Sequence, residues 1–150
     1  MPKLTGGQIL MKSLHLEGVD VIFGIPGVQI YNAVDALADE PGIRFITARH
    51  EQTTAYMADG YARASKKPGV CMAQKVGAAN IAAGLKDPFL ACSPVISITG
   101  GPNTNSKNKN TYQEIDDFAM FKSVTKSSVQ IGDPEQMPES LRQAFRASTS

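Results

Sequence analysis

Apolar positions along the chain alternate between two kinds of run. Short, unbroken β-branched runs stand at Val19–Phe23, Ile43–Ile46, Val70–Ala73 and Val95–Thr99. Between them lie longer stretches with helical spacing. Thr5 can cap a first helix with Ile9, Leu10 and Leu14 on one face and Gly18 as its stop. A second helix is expected with Ile30, Val34 and Leu37 on one face, broken at Pro41-Gly42. A third begins near Glu51 and puts Thr54, Ala55, Ala58, Tyr61 and Ala62 on one stripe, whose small residues permit close packing on a sheet. Lys66–Gly69 reads as a turn. Gly77–Leu85 is almost wholly small or apolar and reads as a buried helix, with Pro88 ending it, kinking it or starting a short separate turn. Gly100-Gly101-Pro102 closes the last strand, Asn103–Tyr112 is a long polar loop, and Tyr112-Gln113-Glu114 is expected to begin a helix with Glu114 in its first turn. A final helix runs from Asp133 or Pro134 to about Ala147, anchored by Leu141 and Phe145.

One strand followed by one helix, repeated, is a βαβ series. It predicts a three-layer α/β/α fold with a mostly parallel sheet, its strands buried on both faces. The 150 residues suffice for one domain with a real core, taken here as residues 1–150. The chain stops after a helix, at Thr149-Ser150, where this architecture would return to the sheet. A domain cut short at its C-terminus, or one piece of a longer polypeptide, is the expectation.

Composition narrows the function classes. The apolar fraction of 42%, the charged fraction of 19% and the net charge of +1 are ordinary for a globular protein. Acidic and basic residues are mixed, so neither a nucleic-acid nor a membrane surface is expected. The stretch Ser106–Lys109 reads as a solvated loop rather than a phosphate or RNA patch. Cys71 and Cys92 sit in hydrophobic segments without metal-site spacing and read as buried, reduced thiols. Met1–Gln8 lacks a signal-peptide core, and no apolar run approaches the ~20 residues of a membrane span. A cytoplasmic location is the resulting expectation.

In an open parallel sheet, ligands bind beyond the carboxyl ends of the strands. Gly24–Gly27, Ala48–Glu51, Gln74–Asn80 and the loop after Gly100 converge there. Gly24-Ile25-Pro26-Gly27 is GxxG, not GxGxxG, and has no Walker lysine, so a tight strand-to-helix turn is the plainer reading and a dinucleotide site the weaker one. His50 has no second metal ligand at a recognisable spacing, and no GxSxG elbow is present. Glu51 suits a helix start, yet it lies at the ligand edge in an apolar context, where a carboxyl group can exchange a proton with a ring nitrogen. Asn80 either caps its helix or reads a ligand.

Phe23–Gly27 (FGIPG), Arg49–Val70 (RHEQTTAYMADGYARASKKPGV), Gly77–Asp87 (GAANIAAGLKD), Ser93–Gly100 (SPVISITG) and Tyr112–Asp116 (YQEID) occur in this order. Together they resemble the N-terminal pyrimidine-binding domain of thiamine diphosphate-dependent enzymes, most like the acetolactate synthase group. The resemblance covers essentially the whole chain. It implies a flavodoxin-like thiamine diphosphate-binding fold and a 2-oxo acid decarboxylase or carboligase. In that family the Glu matching Glu51 contacts N1′ of the aminopyrimidine and promotes the imino tautomer that deprotonates the thiazolium. The resulting ylide attacks the 2-oxo acid, which then loses carbon dioxide. By the same resemblance Pro26, Gly27, Gly77 and Asn80 lie beside the cofactor, and Tyr112 and Gln113 on the substrate side.

Where the family carries Ser/Thr-Gly-Pro-Gly, this chain has Gln74-Lys75-Val76-Gly77; Lys75 either anchors an anionic substrate or reaches solvent. The change puts plain acetolactate synthesis in question, leaving oxalyl-CoA decarboxylase-like and sulfoacetaldehyde acetyltransferase-like branches open, as well as a non-catalytic regulatory module of the same fold. The family holds Mg²⁺ and the diphosphate with a Gly-Asp-Gly…Asn motif in a later domain. Gly132-Asp133-Pro134 only looks like it, so no metal ligand is assigned here. The resemblance implies a homodimer or homotetramer with the site shared between subunits, and half a site, inactive alone, in this chain.

Overall fold

The computed structural model of the chain describes residues 3–106 and 108–150. Met1, Pro2 and Lys107, which belong to the stretches read above as Met1–Gln8 and Ser106–Lys109, lie outside the described residues. The sheet has four strands, all parallel, in the order β2-β1-β3-β4. These are β1 (Val21–Ile25), β2 (Arg44–Thr47), β3 (Gly69–Gln74) and β4 (Val95–Gly100).

Alternate side chains of the sheet feed separate cores, as the period of two requires. Ile22, Val70, Met72 and Ile96 face Met11 and Leu14 of α1 (Gly6–Leu16), Ile30, Ala33 and Ala36, and Leu141 and Phe145 of α7 (Met137–Thr149). Val21, Phe23, Cys71 and Ala73 face Ala55 and Ala58 of α3 (Glu51–Ser65), Ala78 and Ile81 of α4 (Gly77–Gly84), and Phe121. Helices thus cover both faces, giving the three layers expected.

Helix ends follow their sequence cues. Thr5 and Gln8 form a reciprocal capping box, and Gly18 closes α1 at φ +81°. Lys66 ends α3 in the left-handed conformation. Asp133 accepts from the Glu135 backbone N–H at 3.0 Å, a helix-start role.

Several expectations need correction. The first strand begins at Val21, not Val19, because the Val19 N–H is used at 3.1 Å by the Leu14 carbonyl in the α1 turn. The second helix is broken: a 3-10 turn (Val28–Ile30), α2 (Tyr31–Asp35) and another 3-10 turn (Ala36–Asp39). Its buried residues are Ile30, Ala33 and Ala36, spaced for a three-residue turn, with Val34 and Leu37 only partly buried. β1 and β3 are buried on both faces, but β2 and β4 border the sheet and are half-exposed. Pro88 sits in a separate short helix, α5 (Lys86–Leu90). Cys71 is buried, and burial pushes its thiol up to about 12, while Cys92 is exposed at a positive φ just after α5. No helix begins at Tyr112: the next is α6 (Phe118–Phe121), and Glu114 instead accepts from the Asn108 and Thr111 N–H groups, closing the loop on itself. Among the described residues, no helix is long and apolar enough to cross a membrane.

Tyr61 on α3 donates to Asp20 Oδ1 at 2.6 Å, fastening the helix to the residue before β1. That hydrogen bond, and then Lys67, hold the Asp20 carboxyl below its ordinary range. A depressed carboxyl stabilises the fold above its unfolded value, about pH 3.9, and the gain disappears as pH falls through the lower folded value. The Asp20 side chain is 47% exposed, so solvent screening limits the gain. Tyr61→Phe should therefore lower Tm at pH 7 by on the order of 2 °C, and the deficit should shrink in scans below about pH 3.

Candidate functional site

The sheet order reverses direction at β1 and β3, which is where an open α/β sheet splays its loops apart. The loops after β1, β2 and β3 meet at this edge. Gly24 can lie in β1 only without a side chain, since a Cβ there would stand 2.5 Å from the Met72 carbonyl oxygen. Pro26 is exposed and Gly27 buried. A Cβ on Gly27 would meet the Gln74 side chain at 2.4 Å, so the bare glycine lets the loop after β1 touch the end of β3.

His50 is the cap of α3: its Nδ1 accepts from the Gln52 N–H at 3.3 Å. Glu51 is therefore the first residue of the helix, its carboxyl half-buried and turned across to α4. Asn80 Nδ2 donates to Glu51 Oε2 at 2.9 Å. Oε1 lies over the bare Cα of Gly77; a Cβ there would be 2.6 Å from it. Asn80 thus neither caps α4, whose cap is Val76 without a side-chain bond, nor points away from the acid. It fixes the carboxyl's rotation. Glu51, Gly77 and Asn80, all named from the sequence, form one cluster.

Lys75, Tyr112 and Gln113 form a second. Lys75 Nζ lies 2.6 Å from Asp117 Oδ1 and donates to the Ile115 carbonyl at 2.8 Å. With the two side chains 15% and 7% exposed, this is a buried ion pair. Lys75 therefore neither reaches solvent nor offers a free ammonium. Tyr112 is 67% exposed, and its carbonyl accepts from Gln29 Nε2 at 3.2 Å. Gln113 has φ +56° and accepts a hydrogen bond from Gln74 Nε2. Gln29 and Asp117 were not singled out in the sequence, and Gln74 was named only as part of the bulky replacement at Gln74-Lys75, which was the available signal.

A cavity of about 500 Å³ opens along β4 and α7 and is lined by residues including Leu85, Ile96, Phe121 and Asp117. It does not contain Glu51. Its lining is mainly apolar, and the Asp117 carboxylate there is ion-paired to Lys75 through Oδ1 while its buried Oδ2 has no hydrogen-bond partner among the described residues. Among the described residues, no group of three His, Cys, Asp or Glu side chains could hold a metal ion. An oriented acid over a bare glycine suits the ring end of a thiamine cofactor, and the described residues offer no such ligand group for a metal ion.

A parallel sheet covered on both faces, with an acid heading the helix after β2, makes this an α/β domain whose candidate site lies at the carboxyl edge of the sheet. The family model described as "Thiamine pyrophosphate enzyme, N-terminal TPP binding domain" matches residues 4–120. The chain belongs to this family. It is 40% identical over 148 residues to a probable acetolactate synthase large subunit of Methanocaldococcus jannaschii, covering 98% of this chain and 25% of that protein. It is 37% identical over 149 residues to the acetolactate synthase of Bacillus subtilis, 99% of this chain and 26% of that protein. With the mitochondrial acetolactate synthase catalytic subunit of Saccharomyces cerevisiae the identity is 36% over 148 residues, 98% and 22%. The chain spans about a quarter of the length of these relatives.

Gly77→Ala should push the Glu51 carboxyl off its seat and break its bond to Asn80. Helix content by circular dichroism should stay unchanged, while the Asn80 side-chain amide protons exchange with water about tenfold faster by NMR.

Proposed function

We propose that this chain is the cofactor-activating domain of a thiamine diphosphate-dependent 2-oxo acid decarboxylase or carboligase, most like acetolactate synthase. The observation that supports it is the Glu51 carboxyl, placed at the reversal of the sheet order and held by Asn80 over the bare Cα of Gly77. When bound, the cofactor supplies a ring that accepts the electrons left by the departing carboxylate. Glu51 exchanges a proton with the aminopyrimidine nitrogen that faces it. Asn80 keeps one carboxyl oxygen occupied, so the other meets the ring in one orientation. Pro26 and Gly27 line the cofactor on the β1 side. Gln113 and Tyr112 stand on the substrate side, on a loop that Lys75 anchors.

The diphosphate and Mg²⁺ are held outside this chain's residues, by another domain or subunit. That division fits a homodimer or homotetramer in the cytoplasm, with each site shared between subunits, and a chain that does not turn over substrate by itself. A sister branch of the family, differing in substrate, is the second reading. It rests on Gln74-Lys75-Val76, which fills space the family usually leaves to small residues.

In the complete enzyme, Glu51→Gln should lower kcat with a 2-oxo acid by about 100-fold or more, the range expected for removing a proton-exchanging group. Circular dichroism and Tm should match the parent. Turnover within a few-fold of the parent would remove Glu51 from the chemistry.

A further inference from the structure

The glutamines at the rim have their orientations fixed by groups that cannot turn around. A backbone N–H only donates. Gln29 N–H donates to Gln74 Oε1 at 3.2 Å, so the Gln74 carboxamide presents Nε2 forward, and this nitrogen donates to Gln113 Oε1. Gln113 therefore has its carbonyl engaged. Its own Nε2 has no protein partner among the described residues. A parallel relay starts at Lys75 N–H, which donates to Gln29 Oε1 at 3.0 Å; Gln29 Nε2 then donates to the Tyr112 carbonyl. The Lys75 ammonium ties down Ile115 and Asp117 further along the same loop. The left-handed backbone at Gln113, which an L side chain seldom adopts, is held between these ties.

We propose that Gln29, Gln74 and Lys75 are positioning residues that clasp residues 112–117 onto the sheet rim and fix Gln113 so that it offers an N–H donor, not its carbonyl, to the substrate. A donor there suits an acceptor such as the carboxylate of a 2-oxo acid. The substrate half of this inference rests on the proposed function; the clasp does not. The bulky Gln74 and Lys75, where the family pattern has small residues, thereby gain a purpose: they reach the loop that small residues could not touch.

Hydrogen exchange on the full chain tests the clasp. Lys75→Met/Asp117→Asn removes the ammonium tie and leaves no unpaired buried charge, and Gln74→Met cuts the relay to Gln113. Each should speed exchange at the backbone amides of residues 111–117 by about tenfold or more, with β1 and β3 unchanged. Unchanged loop exchange in both variants overturns the clasp. Side-chain amide NMR of glutamine-labelled chain tests the polarity. The Gln74 Nε2 protons should exchange about tenfold more slowly than those of Gln113, and the reverse order overturns the assignment. For the substrate role, the complete enzyme is assayed with pyruvate as the probe. Gln74→Met should raise KM about tenfold while kcat changes less than about threefold. An unchanged KM refutes the role of Gln113 as an oriented donor. A parent enzyme that does not turn over the probe instead counts against the proposed function, and the exchange data then decide the clasp alone.

Discussion

Helix α3 lies so close to the sheet that β3 must begin with a glycine. A Cβ on Gly69 would stand 2.0 Å from the Ala58 carbonyl oxygen. The stripe Thr54, Ala55, Ala58 and Ala62 makes this approach possible, because none of these side chains is large and all are buried. Dense packing of this kind leaves little play: a helix pressed against a strand by backbone contact cannot slide without opening a void. The depth of α3 fixes where its first residue falls. Gly84 repeats the constraint toward α4, where a Cβ would meet Ala55 Cβ and the Gln52 carbonyl at 2.8 Å. Glu51 is thus placed over Gly77 by small residues up to about 16 Å away along the helix axis, at about 1.5 Å per residue.

Much of this was legible in the sequence. Thr5, Gly18, Lys66–Gly69 and Gly77–Leu85 signal their roles through local chemistry, which the fold leaves intact. The Ala-rich stripe of α3 also announces its own burial. What could not be read depends on distant partners. The helix after β1 packs its α-helical part against α1 so closely that a Cβ on Gly7 would lie 2.0 Å from the Asn32 carbonyl, and its 3-10 ends, with Ile30 and Ala36 buried, carried no signal in the spacing of apolar residues. The expected helix at Tyr112 failed for another reason. Glu114 found loop N–H groups to accept from, and short-range competition of that kind carries no periodicity.

The site divided along the same line. Glu51 and Asn80 were recognisable singly, but their bond spans 29 positions, and no spacing rule joins them. Asn80 looked like either a cap or a ligand reader because its partner was unknown. Lys75 looked like a free cation for the same reason, since Asp117 lies in a loop that had no assigned contact. Polar side chains at a rim are defined by what faces them, whereas apolar side chains in a core are defined by their own type.

The cap at His50 carries a consequence for its ring. Nδ1 can accept from Gln52 N–H only while it bears no hydrogen. The cap therefore requires the tautomer that leaves Nδ1 bare and carries the hydrogen on Nε2. A protonated ring would set one donor against another and withdraw the cap from the first turn of α3. The residue beside the acid thus seats the acid's helix only as an uncharged ring.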